Sequence, residues 1–227
     1  MREAARRALE LTRPTWIMAH HQTAARGRQG RAWANPQGNF AATLVMRPQG
    51  NVADAALRSF VAANALFDSF SRYVAPGDLA QKWPNDVLLK GGKVAGILLE
   101  STGRAGGGIE WLSIGIGANL RHAPEIADAT FPPVSLSGET GTTVTPDAFL
   151  ETLAAAFASG EAEFAARGFS QIRTQWLGHA ARLGEVITAR TSREEMTGVF
   201  EGIDAQGNLI LRMPDGPRSI AAADVFF

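Results

Sequence analysis

Between residues 39 and 118 the chain alternates short runs of branched and aromatic side chains with one long stretch whose apolar positions recur every three or four residues. The first run, 39–46, reads as a buried strand. The long stretch, 52–74, reads as a helix burying Leu57, Phe60, Phe67, Phe70 and Val74 along one face. A strand at 79–83 then meets a Pro84-Asn85-Asp86 break, followed by a strand at 87–90, a Gly91-Gly92 turn and an apolar strand at 94–99, the pattern of a hairpin. Glycines at 106–108 predict a second turn before 111–118, where small and branched residues alternate as in a central strand. Upstream, 2–11 predicts a short helix and 15–19 a strand, which leads into a long polar loop rich in glycine and arginine.

The second half changes texture. Residues 120–144 read as loop, after which Thr145, Pro146 and Asp147 supply an N-cap, a proline at the first helical position and an acid in the first turn. A helix over 146–166 and another over 169–177 follow. From 178–183 onward the pattern breaks into short strands, with turn signals at 204–207 and at Asp215-Gly216, which suggests a small SH3-like β-barrel. The predicted architecture is α+β, a mixed and mostly antiparallel sheet with packed helices over 1–178 and the barrel over 179–227.

Composition narrows the function classes. The chain has 227 residues, 45% apolar and 19% charged, so it folds with a sizeable core. Its 22 basic residues are matched by 22 acidic ones, so no global field draws it to nucleic acid or an anionic membrane, and any anion site must be local. It has no cysteine, which removes thiolate chemistry and suits a reducing compartment. With no signal-like leader and no apolar run of spanning length, a cytoplasmic location is expected.

Two stretches carry chemistry. In the first, Arg26, Arg28 and Arg31 fall within six residues with Gly27 and Gly30 between them, so guanidinium forks and backbone amides can converge on an anion; Trp33 adds an apolar, stacking surface beside that charge. In the second, QKWPNDVLLKGGKVAGILLES, lie all three lysines of the chain, Lys82, Lys90 and Lys93. A lysine is a mobile point charge able to follow a carboxylate through attack on phosphorus, which makes Lys93 the leading catalytic candidate. Asp86 can orient an amine, accept its proton or position magnesium, and Gly96 permits close approach of backbone to a ligand. GGKVAG lacks the spacing of a P-loop, IGIGANL lacks the third glycine of a dinucleotide fingerprint, and the four histidines form no metal-ligand pattern.

Taken together, QTAARGRQGRAW, KWPND, GGKVAGILLE and IGIGANL, in that order, resemble the catalytic domain of biotin protein ligases, and 169–227 resembles that family's C-terminal SH3-like domain. The resemblance implies a class II synthetase-like fold with ATP, carried by Mg2+, and biotin as substrates. It further implies a biotinyl-AMP intermediate and an acceptor lysine on a biotin carboxyl carrier protein or related carboxylase domain. It places Gln22, Arg26, Gly27, Arg28, Trp33, Gly96 and Lys93 at biotin or the adenylate, Asn119 near the nucleotide, and Asn85 with Asp86 at the acceptor lysine. Arg28, Arg31, Lys93 and Asp86 are its catalytic set, with no resident metal.

Some features depart from that family pattern. Ala25 stands where a glycine is usual, Ala222-Ala223 replaces the glycine before Asp224-Val225, and Met1 stands where a Ser-Thr-Asn-like segment usually ends, so weaker biotin binding than in an upstream-extended chain is expected. No winged-helix region is expected, hence no DNA binding. An exposed sheet edge would allow a homodimer. Two alternatives remain open at this level: a lipoate or octanoate ligase or transferase of the same fold, and a non-catalytic biotin- or RNA-binding module using the arginine loop.

Overall fold

The computed structural model describes residues 1–104, 108–125 and 131–227. Its larger sheet is built from β1 (Thr15–Met18), β2 (Phe40–Met46), β3 (Leu79–Lys82), β4 (Asp86–Leu89), β5 (Gly92–Gly103) and β6 (Ile109–Ala118), in the order β1-β2-β6-β5-β4-β3. Every pairing between these strands is antiparallel, so the sheet is not the mixed one expected from sequence. Parallel pairing is confined to isolated bridges, at Gln81 with Ala180 and at Lys93 with Pro133. Strands joined by tight turns must run antiparallel, and both β3–β4 and β4–β5 are so joined.

The β4–β5 turn sits one residue earlier than the Gly91-Gly92 expectation. Lys90 (φ 48°) and Gly91 (φ 84°) occupy the two left-handed positions that such a turn requires, and Gly92 already begins β5. The expected turn at 106–108 falls largely outside the described residues.

One face of this sheet is covered by helices. α2 (Val52–Ala56), α3 (Arg58–Phe70), α5 (Pro146–Arg167) and α6 (Phe169–Gly178) enclose Phe40, Phe60, Leu66, Phe70, Phe149, Leu153 and Trp176 against Leu44, Ile97, Ile114 and Ile116. The single helix expected over 52–74 is broken at Leu57, where the hydrogen bond from the Phe60 N–H returns to Leu57 after three residues rather than four, and it ends at Phe70 with Val74 only partly buried. α2 carries its own start signal, a capping box between Asn51 and Asp54.

α1 (Arg2–Arg7) stops short of residue 11, and the stretch expected to be loop contains α4 (Leu136–Thr140), capped by Ser135 and closed by left-handed Gly141. Thr145 caps α5 as expected, its hydroxyl accepting from the Ala148 N–H at 3.2 Å.

The smaller sheet, in the order β10-β9-β8-β7-β11, comprises β7 (Val186–Arg190), β8 (Glu195–Ile203), β9 (Leu209–Met213), β10 (Gly216–Ile220) and β11 (Asp224–Phe226). It is open where a closed barrel was expected: β10 and β11 lie at opposite edges. Its inner face, with Ile187, Phe200, Ile203, Leu209 and Leu211, joins the same apolar core as the helices. The β8–β9 turn docks on the larger sheet, where the Trp83 indole N–H donates to the Gly207 carbonyl at 3.0 Å.

Candidate active site

The face of the larger sheet opposite α2, α3, α5 and α6 holds the site, with α1 packed on the same face beside it through Ala4, Ala8 and Val45, and strand register explains how. Lys82 pairs with Asp86 across β3–β4, Asp86 with Gly96 across β4–β5, and Gly96 with Gly117 across β5–β6, so these four residues form one row on one face. The glycines make the row a shallow floor. A Cβ on Gly117 would stand 2.5 Å from Trp33 Cε2, and one on Gly115 would stand 2.5 Å from Met1 Sδ, so the indole and the thioether lie directly on sheet backbone. Met1 is further held by its amino group, which donates to Thr43 Oγ1 at 3.2 Å.

Lys93 reaches this face through a β-bulge. Val87 pairs with Ala95 but Leu88 pairs with Lys93, leaving Val94 as an extra residue. In a regular strand, residues three apart point to opposite faces; the bulge brings Lys93 onto the face of Gly96. Its Nζ sits 2.7 Å from Asp86 Oδ1 and 5.6 Å from the centre of a Trp33 ring.

The arginine loop closes over the row. An Arg26–Ala32 bridge and a Gly27 N–H to Arg31 carbonyl bond of 2.7 Å fold it on itself, with a turn of 3-10 helix over Arg28–Gly30. Arg28 Nη1 donates to Asn85 Oδ1 at 3.2 Å, and Asn85 Nδ2 donates to the Ile97 carbonyl at 2.6 Å, so the Pro-Asn turn anchors the guanidinium to the sheet. Arg26 pairs with Glu100 and Arg31 with Asp224.

These groups line a cavity of about 330 Å³, a size suited to a small organic ligand. The expected catalytic and substrate-binding residues all lie on it: Gln22, Arg26, Gly27, Arg28, Arg31, Trp33, Asn85, Asp86, Lys93, Gly96 and Asn119; Gly30 of the arginine loop and Lys90 of the lysine cluster do not. Asn119 contributes as a brace, its Nδ2 donating to the Val134 carbonyl at 3.0 Å, while the Val134 N–H donates to the Lys93 carbonyl at 3.0 Å. Ala25, which stands where the family usually has glycine, is not among the lining residues.

Sequence reasoning placed Lys82 in the lysine cluster without giving it a role and missed Thr43, Phe131 and the Asp224–Phe226 strand; all of these also line the cavity. Lys82 is only 8% exposed, with its ammonium 4.5 Å above the Phe131 ring. Burial lowers its pKa below the ordinary 10.5; Asp86 and Asp224 oppose that fall, and Lys93 and Arg28 deepen it. Burial likewise lowers the pKa of Arg28, against the pull of Asp224 and Asp86. Lys82 was legible in principle, since a three-residue turn puts it directly opposite Asp86. Nothing local in the last strand points to a cavity made mostly by the first hundred residues.

Residues 3–119 match the biotin/lipoate A/B protein ligase family and residues 183–227 the biotin protein ligase C-terminal domain, and the chain belongs to that ligase family. It is 53% identical over 229 residues to the biotin–[acetyl-CoA-carboxylase] ligase of Paracoccus denitrificans, covering 99% of this chain and 95% of that one. It is 30% identical to the bifunctional ligase/repressor BirA of Bacillus subtilis (strain 168), over 93% of this chain and 65% of the relative. Among solved structures, the biotin protein ligase from Aquifex aeolicus in complex with biotin and ATP superposes with a TM-score of 0.82 at 22% identity, covering 97% and 93% of the two chains, a likeness of fold.

Proposed function

We propose that this chain adenylates biotin with MgATP and transfers the biotinyl group to a lysine of a biotin carboxyl carrier protein or related carboxylase domain. The observation that carries the reading is the convergence of Arg28, Arg31, Lys82 and Lys93 beside the Trp33 wall and the glycine floor. In the first step the biotin carboxylate oxygen bonds to the α-phosphorus, the bond to the β-phosphate oxygen breaks, and pyrophosphate leaves. Two anions must meet, so charge already in place is the principal catalytic contribution. Lys93, on a flexible stem 2.7 Å from Asp86, is the charge able to follow the carboxylate.

In the second step the acceptor amine attacks the acyl carbon, an amide forms, and the acyl–oxygen bond to AMP breaks. An amine of ordinary pKa, about 10.4, sheds a proton before or during attack. Asp86 is the carboxylate placed to accept it, and its ion pair with Lys93 links the two steps. Mg2+ enters with the triphosphate as part of the substrate.

The matched regions support a catalytic domain over 1–178 and a C-terminal domain over 179–227. Among the described residues no helix is long and apolar enough to cross a membrane. The outer edge of the larger sheet at β1 suits strand addition by a second copy, whereas β3 is covered at Gln81 by the backbone of residues 179–181. The deciding experiment incubates the chain with biotin, MgATP and an unmodified carrier domain, with lipoate in a parallel arm. A biotinyl mass increase on one acceptor lysine is expected. Modification by lipoate in preference to biotin would overturn the substrate assignment while leaving the ligase chemistry.

A further inference from the structure

One acid in the cavity has no part in the chemistry above. Asp224 opens β11, the last strand of the smaller sheet, held on one side only by pairing with β7. From there its carboxylate reaches across to Arg31, 193 residues earlier in the chain. Val225 and Phe226 line the cavity beside it.

The charges of the cavity show why this pairing matters. Arg28, Arg31, Lys82 and Lys93 face two carboxylates, Asp86 and Asp224. Asp86 is engaged by Lys93 and belongs to the floor of the larger sheet, whereas Asp224 is brought in from the other sheet.

We propose that Asp224 is a stand-in anion, a positioning residue that holds the Arg31 guanidinium where a phosphate of the nucleotide will take it and yields it when MgATP binds. The proposal rests on reading the cavity as an ATP site. A guanidinium on a loop loses conformational freedom when it clamps a phosphate, and pairing with a carboxylate removes part of that loss beforehand. The same partner competes with the incoming anion. The two effects separate in kinetics: competition raises KM for MgATP, while ordering of Arg31 supports kcat for adenylation.

The test compares the full chain with Asp224→Asn, which keeps size and loses charge, and with Asp224→Ser as a second variant. A non-hydrolysable ATP analogue is titrated directly, and biotin-dependent pyrophosphate release gives KM and kcat. Both variants are expected to bind the analogue roughly two- to five-fold more tightly, the size expected when a partly exposed ion pair is lost, with kcat lowered and KM for biotin unchanged. In an Arg31→Ala background the Asp224→Asn change is expected to leave analogue affinity where Arg31→Ala alone puts it. Unchanged or weaker analogue binding in Asp224→Asn, or the same gain without Arg31, overturns the proposal while the ligase reading stands. Failure of the unmutated chain to bind the analogue at all overturns the ATP site itself, and the proposal with it.

Discussion

Lys93 and Lys82 lie on the same floor but differ in environment, and the difference is measurable. Lys93→Ala removes mobile charge at the carboxylate–phosphate junction without touching the core. Biotin-dependent pyrophosphate release is expected to fall about a hundredfold or more, with the thermal midpoint within a few degrees of the parent; release at the unmutated rate would refute the assignment. Lys82 is buried, and burial lowers its pKa, so it gives up its proton at a lower pH than the ordinary 10.5. The cavity therefore loses one of its cations as pH rises toward that value, and KM for MgATP is expected to climb on the alkaline side. In Lys82→Arg, whose guanidinium stays charged, the climb should disappear; an identical pH profile in the variant would mean that Lys82 does not face the nucleotide. Most of this site was legible from residue types alone, because the arginine loop and the lysine cluster are each compact in sequence. What could not be read was the direction in which side chains point. The bulge at Val94 puts Lys93 on the face of Gly96, and simple alternation along β5 would have sent it to the other side.

At the scale of elements, the strands were readable as elements, but β5 runs from Gly92 to Gly103 where its apolar run predicted only 94–99, because Glu100 to Gly103 go on pairing with β6. The helices were read too long where periodicity alone was followed. The pattern over 52–74 continues through Leu57, yet the hydrogen-bond ladder does not, because Asn51 starts one short helix and the chain re-aims before α3. α3 is then fixed by Arg58, whose side chain is 5% exposed and which donates to Glu161 of α5 at 2.7, 2.9 and 3.1 Å. This forked pair lies between the two long helices, beside Phe164, and stands in a better position than the exposed pairs elsewhere on the surface. Arg58→Ala is expected to destabilise the fold by about 2 to 3 kcal/mol, since it leaves charge-assisted hydrogen bonds unmade around a half-buried carboxylate. Denaturant titration should show a lower midpoint with an unchanged slope. Kinetic constants measured well below the midpoint should stay at parent values, and a change in KM for biotin would mean that α3 communicates with the site on the far face of the sheet.

At the scale of the whole molecule, the two sheets look separable in sequence and are interlocked in space. The texture change near residue 178 is real as a change of pattern, but the core does not respect it. Phe200 of β8 packs against Trp176 of α6, with ring centres 6.4 Å apart, and both belong to one apolar cluster that also holds Phe60 and Phe40. The Trp83–Gly207 hydrogen bond and the reach of Asp224 into the cavity tie the second sheet to the catalytic face as well. Two modules sharing one core should unfold together. The tryptophans give a direct way to ask, because Trp16, Trp33, Trp83, Trp111 and Trp176 all precede residue 179, whereas the smaller sheet contains none. Phe200→Ala leaves a cavity on the smaller sheet's side of the shared core and is expected to cost about 3 to 5 kcal/mol. Tryptophan fluorescence and far-ultraviolet circular dichroism should then report one transition, displaced by the same amount in both signals. An independent C-terminal module would instead give two transitions, with the fluorescence midpoint left at its parent value.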